Sequence, residues 1–122
     1  MTNVVISIGA NCGNRHSSVS WAVEWLGRLL GDFRQSEIYE TPCALKEGRP
    51  YMNAVVKGIF QGIGYDLEEK LKEKEKEMGR NSECRQRGEV PIDIDIVVCD
   101  GAIWKPWDFR QRFFTIGYSQ LS

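Results

Sequence analysis

The chain lacks any apolar run long enough to cross a membrane. It enters a strand-like pattern at once, without the charged and apolar regions of a signal peptide. A cytoplasmic protein with no membrane partner is the expectation. Charge of one sign is also lacking: 16 Lys+Arg against 17 Asp+Glu leave a formal net charge of −1, too small a field to recruit nucleic acid. Cysteine is scarce and scattered. Cys12, Cys43, Cys84 and Cys99 form no CxxC pair, which argues against a zinc site or a disulfide framework and for a reducing cytosol. Gly-Lys-Ser/Thr and GxGxxG are both missing, so Gly9 and Gly13 do not make a P-loop, and any phosphate site has to be built otherwise. The one histidine, His16, has no catalytic partner near it in sequence and reads as structural.

What is present fits a single domain over residues 1–122, with 42% hydrophobic and 27% charged residues, enough to bury one core. The most informative stretch is Ile92-Asp93-Ile94-Asp95-Ile96-Val97-Val98. A strand turns successive side chains to opposite faces, so Asp93 and Asp95 share one face while Ile92, Ile94, Ile96 and Val98 fill the other. Two anions on one half-buried face need a cation to answer them. Mg²⁺ holding phosphate does so, being bound as a rule by one or two carboxylates plus substrate phosphates. An edge strand with a solvated acidic face is the plainer alternative.

Around this strand the pattern alternates between strand and helix. Asn3 to Ile8 predicts a first strand, ended by the turn-rich Gly9-Ala10-Asn11-Cys12-Gly13-Asn14. From Ser17, the residues Val19, Ala22, Val23, Leu26, Leu29 and Leu30 form a helical stripe stopped by Gly31. A short strand over Arg34 to Tyr39 follows, then loops at Thr41-Pro42 and Lys46 to Pro50, then a strand from Met52 to Phe60. Asp66-Leu67-Glu68-Glu69 reads as an N-cap with a capping-box variant, opening a helix that runs to about Met78 and stops at Gly79. The order β-α-β-β-α-β predicts an α+β fold: a ferredoxin-like two-layer sandwich, its antiparallel sheet covered by helices packed on one face.

Chemistry-bearing residues gather near the end of the second helix. Arg80 to Pro91 is a long segment without apolar periodicity, of the kind that forms lids, and its Arg80, Arg85 and Arg87 suit phosphate oxygens. Glu83 and Glu89 partly offset them, so a solvated mixed-charge loop is the other reading. Most of Glu68 to Glu77 reads as a solvated face with pairs such as Glu68–Lys72. Leu67, Leu71, Glu75 and Met78 nevertheless share one stripe, which turns Glu75 inward toward a partner. Asn53, beside Tyr51 at a strand start, is suited to reading a heterocycle edge or to capping the strand. Trp104, Trp107, Arg110, Arg112, Phe113 and Phe114 mix rings with cations near the chain end. Such a mixture stacks bases or clamps phosphate, although Trp104 and Phe113 read better as core.

Six segments complete the pattern: Ile8-Gly9-Ala10-Asn11-Cys12-Gly13-Asn14-Arg15, Ser36-x-x-Tyr39-x-Thr41-Pro42, Tyr51-Met52-Asn53-Ala54-Val55, Glu75-x-x-x-Gly79-Arg80, Ile92-Asp93-Ile94-Asp95-Ile96 and Arg112-x-Phe114. In this order and spacing, across nearly the whole chain, they resemble the 6-hydroxymethyl-7,8-dihydropterin pyrophosphokinase family of folate biosynthesis, whose fold is also ferredoxin-like. The resemblance implies an Mg²⁺-dependent diphosphokinase that transfers pyrophosphate from ATP to the pterin hydroxymethyl group and releases AMP. It implies two Mg²⁺ ions at Asp93 and Asp95, with charge neutralisation and in-line positioning in place of covalent catalysis. It sets Thr41, Pro42, Tyr51 and Asn53 around the pterin, Phe114 stacked on its ring, Glu75 at the adenosine, and Arg80 and Arg112 on the phosphates. The long loop becomes a lid that excludes water. ATP and a dihydropterin are the implied partners, and a monomer is the default.

The chain departs from the family at that lid. Arg87-Gly88-Glu89-Val90 stands where the family usually has Trp-Gly-Pro-Arg, Ser82 replaces a second arginine, and Pro106-Trp107 replaces Pro-His. The connection after the acidic strand is also shortened. Arg85 and Arg87 are the residues left to stand in for the lost transfer arginine. The alternative reading is a catalytically impaired relative that binds a pterin, a nucleotide or a protein partner. An RNA-binding domain on the same fold has less support, because the central strands carry no paired aromatic platform.

Overall fold

The computed structural model describes residues 1–45 and 48–121; Lys46, part of the loop expected up to Pro50, lies outside them. The elements run β1 (Thr2–Ala10), α1 (Arg15–Leu29), β2 (Gly31–Gln35), β3 (Tyr39–Thr41), β4 (Tyr51–Phe60), α2 (Gly64–Glu77), α3 (Ser82–Gln86), β5 (Asp93–Cys99), β6 (Ala102–Ile103), α4 (Pro106–Phe109) and α5 (Arg112–Tyr118). The strands form one antiparallel sheet in the order β2-β4-β1-β5-β6, with β3 also paired to β4. This is the ferredoxin-like α+β arrangement that the element order predicts.

Period-two alternation decides what the sheet buries. Ile6, Ile8, Ala54, Val56, Ile92, Ile94 and Ile96 face one way, against Val19, Ala22, Val23 and Leu26 of α1 and Leu67 and Leu71 of α2. Each fully buried Val, Leu or Ile among them contributes about 1.5–3 kcal/mol of burial free energy. The two long helices share one face, as expected. The opposite face has its own cover, which the sequence pattern did not reveal: Val55, Val97, Phe114 and Leu121 form a second buried cluster flanked by Phe109 and Phe113. Helix α5 is anchored there by Tyr39, whose hydroxyl donates to Phe113 O at 2.6 Å and accepts from Gly117 N at 3.0 Å. Residue 117 has to be glycine, since a Cβ would lie 2.7 Å from that hydroxyl and 2.6 Å from Val55.

Local departures from the sequence reading have local causes. The strand expected over Arg34 to Tyr39 is broken into β2 and β3 at Ser36, whose hydroxyl accepts from Val55 N at 2.9 Å while its own N–H donates to Val55 O at 2.8 Å. Helix α1 begins earlier than Ser17, with the Asn14 side chain accepting from Ser17 N. The capping box at Asp66 is not used. Helix α2 starts at Gly64 after Ile63 without a side-chain cap, and Asp66 falls in its first turn, where it favours the helix dipole. Val98 leaves the face of Ile96 for the second cluster, because the β1–β5 ladder shifts register between Val5 and Ile6.

The outer edge of β5 positions the site. β6 pairs with it only at Val98 and Cys99, and no strand among the described residues covers the rest. Side chains from the end of α2 satisfy that edge instead. Glu75 Oε2 accepts from Ile94 N at 2.7 Å, Lys72 Nζ donates to Ile94 O at 3.3 Å, and Arg80 Nη1 donates to Ile92 O at 3.4 Å.

Candidate active site

On the strand face opposite Ile92, Ile94 and Ile96 stand Asp93 and Asp95, and Glu75 reaches them around the edge. One carboxylate oxygen from each of the three lies within 4.8 Å of the others. Two cations are drawn into this cluster. Lys72 Nζ is 2.8 Å from Asp95 Oδ1 and 3.0 Å from Glu75 Oε2, and Arg80 Nη1 is 2.8 Å from Asp93 Oδ1 and 3.2 Å from Glu75 Oε1. Lys105 Nζ stands further off, 3.8 Å from Asp95 Oδ1.

The crowding sets the protonation states. Burial and the adjacent Asp95 carboxylate push Asp93 up to about 7, against the pull of Arg80. Its side chain still keeps 38% of its surface open to solvent, so water reaches the carboxyl and the neighbouring anion matters beside burial. Burial would raise Asp95 as well, but the hydrogen bond with Asp93 and the Lys72 ammonium outweigh it and hold Asp95 below the usual carboxylate range. The pair therefore shares a proton near neutrality. Burial would lower Lys72, yet Asp95 and Glu75 reverse that and raise it, so its ammonium stays charged.

Two cavities meet at Asp93. The first, of about 250 Å³, has Ser7, Gly9 and Asn53 of the sheet beneath it and Thr41, Pro42, Tyr51, Trp107 and Phe113 around it. Asn53 is 2% exposed, and its amide nitrogen donates to Thr41 Oγ1 at 2.8 Å, Tyr51 O at 3.2 Å and Tyr39 O at 3.3 Å. Its donor side is thus used within the protein. Its Oδ1 lies where a Cβ on Gly9 would be only 3.4 Å away, so the glycine keeps that acceptor uncrowded. A flat heterocycle carrying N–H donors suits such a slot. The second cavity, of about 710 Å³, is lined by Lys72, Lys76, Arg80, Arg85 and Lys105 together with the three carboxylates. Basic walls with an acidic patch suit a polyanion carried with a cation. Asp93 belongs to both linings. Three hard oxygen donors without a soft ligand among them fit Mg²⁺ in kind.

The structure gathers most of the residues singled out from sequence. Thr41, Pro42, Tyr51 and Asn53 line the small cavity, and Glu75, Arg80, Asp93 and Asp95 line the large one. Two, Phe114 and Arg112, are placed otherwise. Phe114 does not face the cavity: it is fully buried in the second core, packed on Tyr118 and Phe109, and the ring at the cavity wall is its neighbour Phe113. Arg112 lines a different groove with Glu40 and Gln111, apart from the carboxylates. Glu75 lines the large cavity and is only 4% exposed, its Oε1 accepting from Arg80 and its Oε2 from Lys72 and Ile94 N, which sets it within the carboxylate cluster.

Lys72 stands in the site although the helical pattern sets it among surface charges. It belongs to the cluster with Asp95, not to a surface pair with Glu68, and the available signal was its i,i+3 spacing to the inward Glu75. Trp107 belongs to the ring-and-cation mixture near the chain end, Phe113 of that mixture lines the slot although it reads better as core, and Lys105 carries no comparable signal. The segment expected to form a lid holds the short α3, capped by Asn81 Oδ1 on Cys84 N at 3.0 Å. Its far end is pinned to Asn11, whose side chain donates to Gly88 O at 3.0 Å and whose N–H donates to Val90 O at 2.9 Å.

These features define a class: a ferredoxin-like domain in which carboxylates on an edge strand divide a ring-sized slot from a basic cleft. The chain matches the family model of 7,8-dihydro-6-hydroxymethylpterin-pyrophosphokinase over residues 5–121 and belongs to that family. A folate synthesis bifunctional protein of Arabidopsis thaliana is 35% identical over 100 residues, covering 77% of this chain and 20% of the relative. A 2-amino-4-hydroxy-6-hydroxymethyldihydropteridine pyrophosphokinase of Porphyromonas gingivalis is 37% identical over 107 residues, covering 80% of this chain and 69% of the relative. The Aquifex aeolicus protein of the same description is 31% identical over 99 residues, covering 80% of this chain and 61% of the relative. The chain thus spans about a fifth of the bifunctional relatives and under three quarters of these two single-function ones.

Proposed function

We propose that residues 1–122 act as one pyrophosphokinase-like domain, transferring pyrophosphate from ATP to 6-hydroxymethyl-7,8-dihydropterin in folate biosynthesis. The observation that carries this reading is the position of Asp93 in the wall common to the heterocycle slot and the polyanion cleft. A pterin in the first and a triphosphate in the second would meet at this carboxylate. The hydroxymethyl oxygen bonds to the β-phosphorus, the bond from that phosphorus to the oxygen bridging it to the α-phosphate breaks, AMP departs, and the hydroxyl proton is released. Asn53 Oδ1 reads pterin N–H donors, and Trp107 and Phe113 flank the ring. Lys76, Lys105 and Arg80 align the triphosphate, a positioning role with no covalent step. Asp93 and Asp95, with Glu75 beside them, would hold Mg²⁺, two ions in the family's manner, which supplies charge neutralisation on the phosphate oxygens.

Arg85 takes the part of the transfer arginine in this reading. It lines the cleft, and no ion pair engages it among the described residues. Arg87 is held by Glu89 at 2.7 Å and lines neither cavity. The four cysteines are free thiols, which suits a cytoplasmic setting. The test is chromatographic measurement of AMP formation, which should require ATP, the dihydropterin and Mg²⁺ together. Asp95→Ala should lower kcat by about a thousandfold or more, and a retained rate would remove the metal assignment. One observation favours the second reading, a binding protein with impaired turnover: Lys72 and Arg80 already neutralise the carboxylates from within the chain. Calorimetry showing pterin and nucleotide binding without AMP release would select it.

A further inference from the structure

Lys72 occupies the place where a metal would draw its ligands. Its ammonium is shared by Asp95 Oδ1 at 2.8 Å, Glu75 Oε2 at 3.0 Å and Ile94 O at 3.3 Å. A divalent ion bound to the same two carboxylates would stand within about 4 Å of that ammonium, where like charges repel strongly in a partly buried setting. Metal and ammonium therefore oppose each other at these carboxylates. The Lys72 side chain is 40% exposed and rooted on the regular helix α2, so it can turn outward without disturbing the core. Outward lies the cleft it lines with Lys76, Arg85 and Lys105, the surface suited to a polyphosphate. We infer that Lys72 couples the two ligands of this cleft: it keeps the carboxylates closed to divalent metal until polyphosphate draws its ammonium away. Metal and nucleotide then bind with positive cooperativity, each removing a charge that hinders the other. This rests on the proposed reading only in taking the carboxylate cluster as a metal site.

The coupling is measurable without turnover. Free Mn²⁺ is titrated by electron paramagnetic resonance against the whole chain, with and without a nonhydrolysable ATP analogue, and the Mn²⁺ bound by the analogue without protein is subtracted. The wild type should bind Mn²⁺ weakly alone and much more tightly with the analogue. Lys72→Gln should bind Mn²⁺ alone roughly tenfold or more tightly than wild type, and should lose most of the gain from the analogue. Lys72→Arg, which keeps the charge, should restore weak binding, and Lys72→Met serves as a second neutral variant should glutamine perturb the fold. Circular dichroism checks folding in each. Equal or weaker Mn²⁺ binding in both neutral variants, or no metal binding by wild type even with the analogue, overturns the inference. If the neutral variants gain affinity while the wild type forms no AMP, the coupling stands and the transferase reading falls.

Discussion

Asp93 holds a proton near neutrality because burial and Asp95 both disfavour its ionised form. A raised carboxyl means that the folded chain binds more protons than the unfolded one between the ordinary carboxylate range and about pH 7, so this residue costs stability as pH rises through that window. Asp93→Asn should accordingly raise Tm in the metal-free protein, and by more at pH 8 than at pH 5, while abolishing AMP formation; calorimetry across pH decides it. A smaller gain at pH 8 than at pH 5 would contradict the sign. Asn53→Ala removes the fixed acceptor of the slot and should weaken pterin binding by about 1–3 kcal/mol, read by fluorescence titration. Arg85→Ala should reduce kcat by roughly a hundredfold or more, against about threefold or less for Arg87→Ala. The sequence showed the carboxylates and Asn53 plainly, since each breaks an apolar pattern. It could not separate Phe113 from Phe114 as the ring at the cavity wall, because adjacent residues on a short helix differ only in rotation and not in type.

At the scale of elements, α2 both packs the core and completes the site. Leu67 and Leu71 bury its apolar side, while Lys72, next to Leu71, and Glu75, one turn after Leu71, meet β5. The helix cannot shift without disturbing the carboxylates. Leu71→Ala should cost about 2–5 kcal/mol in urea unfolding and weaken Mn²⁺ binding at the same time. Helix α5 is held by the buried Phe114 and by the hydroxyl of Tyr39. Tyr39→Phe leaves Gly117 N–H without that acceptor and should cost about 1–3 kcal/mol, with faster amide exchange confined to α5. Both long helices were readable as stripes of period 3.6. The short α3, α4 and α5 were not, since four to seven residues give too few turns for a stripe to repeat, and tertiary contacts hold them instead.

The whole molecule is a sheet with a large core on one side and a smaller one on the other, and the candidate site lies at the end of the sheet beside that smaller cover. Element order alone sufficed for the first side. The second depended on a register shift and on a glycine–tyrosine contact between distant segments, neither of which has a local pattern. The open edge of β5 carries one last consequence. An apolar strand with unpaired backbone groups is a template for another chain, and here the groups that block it are Glu75, Lys72 and Arg80. The residues proposed to handle metal and phosphate thus also occupy backbone groups that another strand would otherwise pair with. Replacing all three by apolar residues should therefore leave a bare strand edge and lower the concentration up to which the chain stays monomeric, read by light scattering.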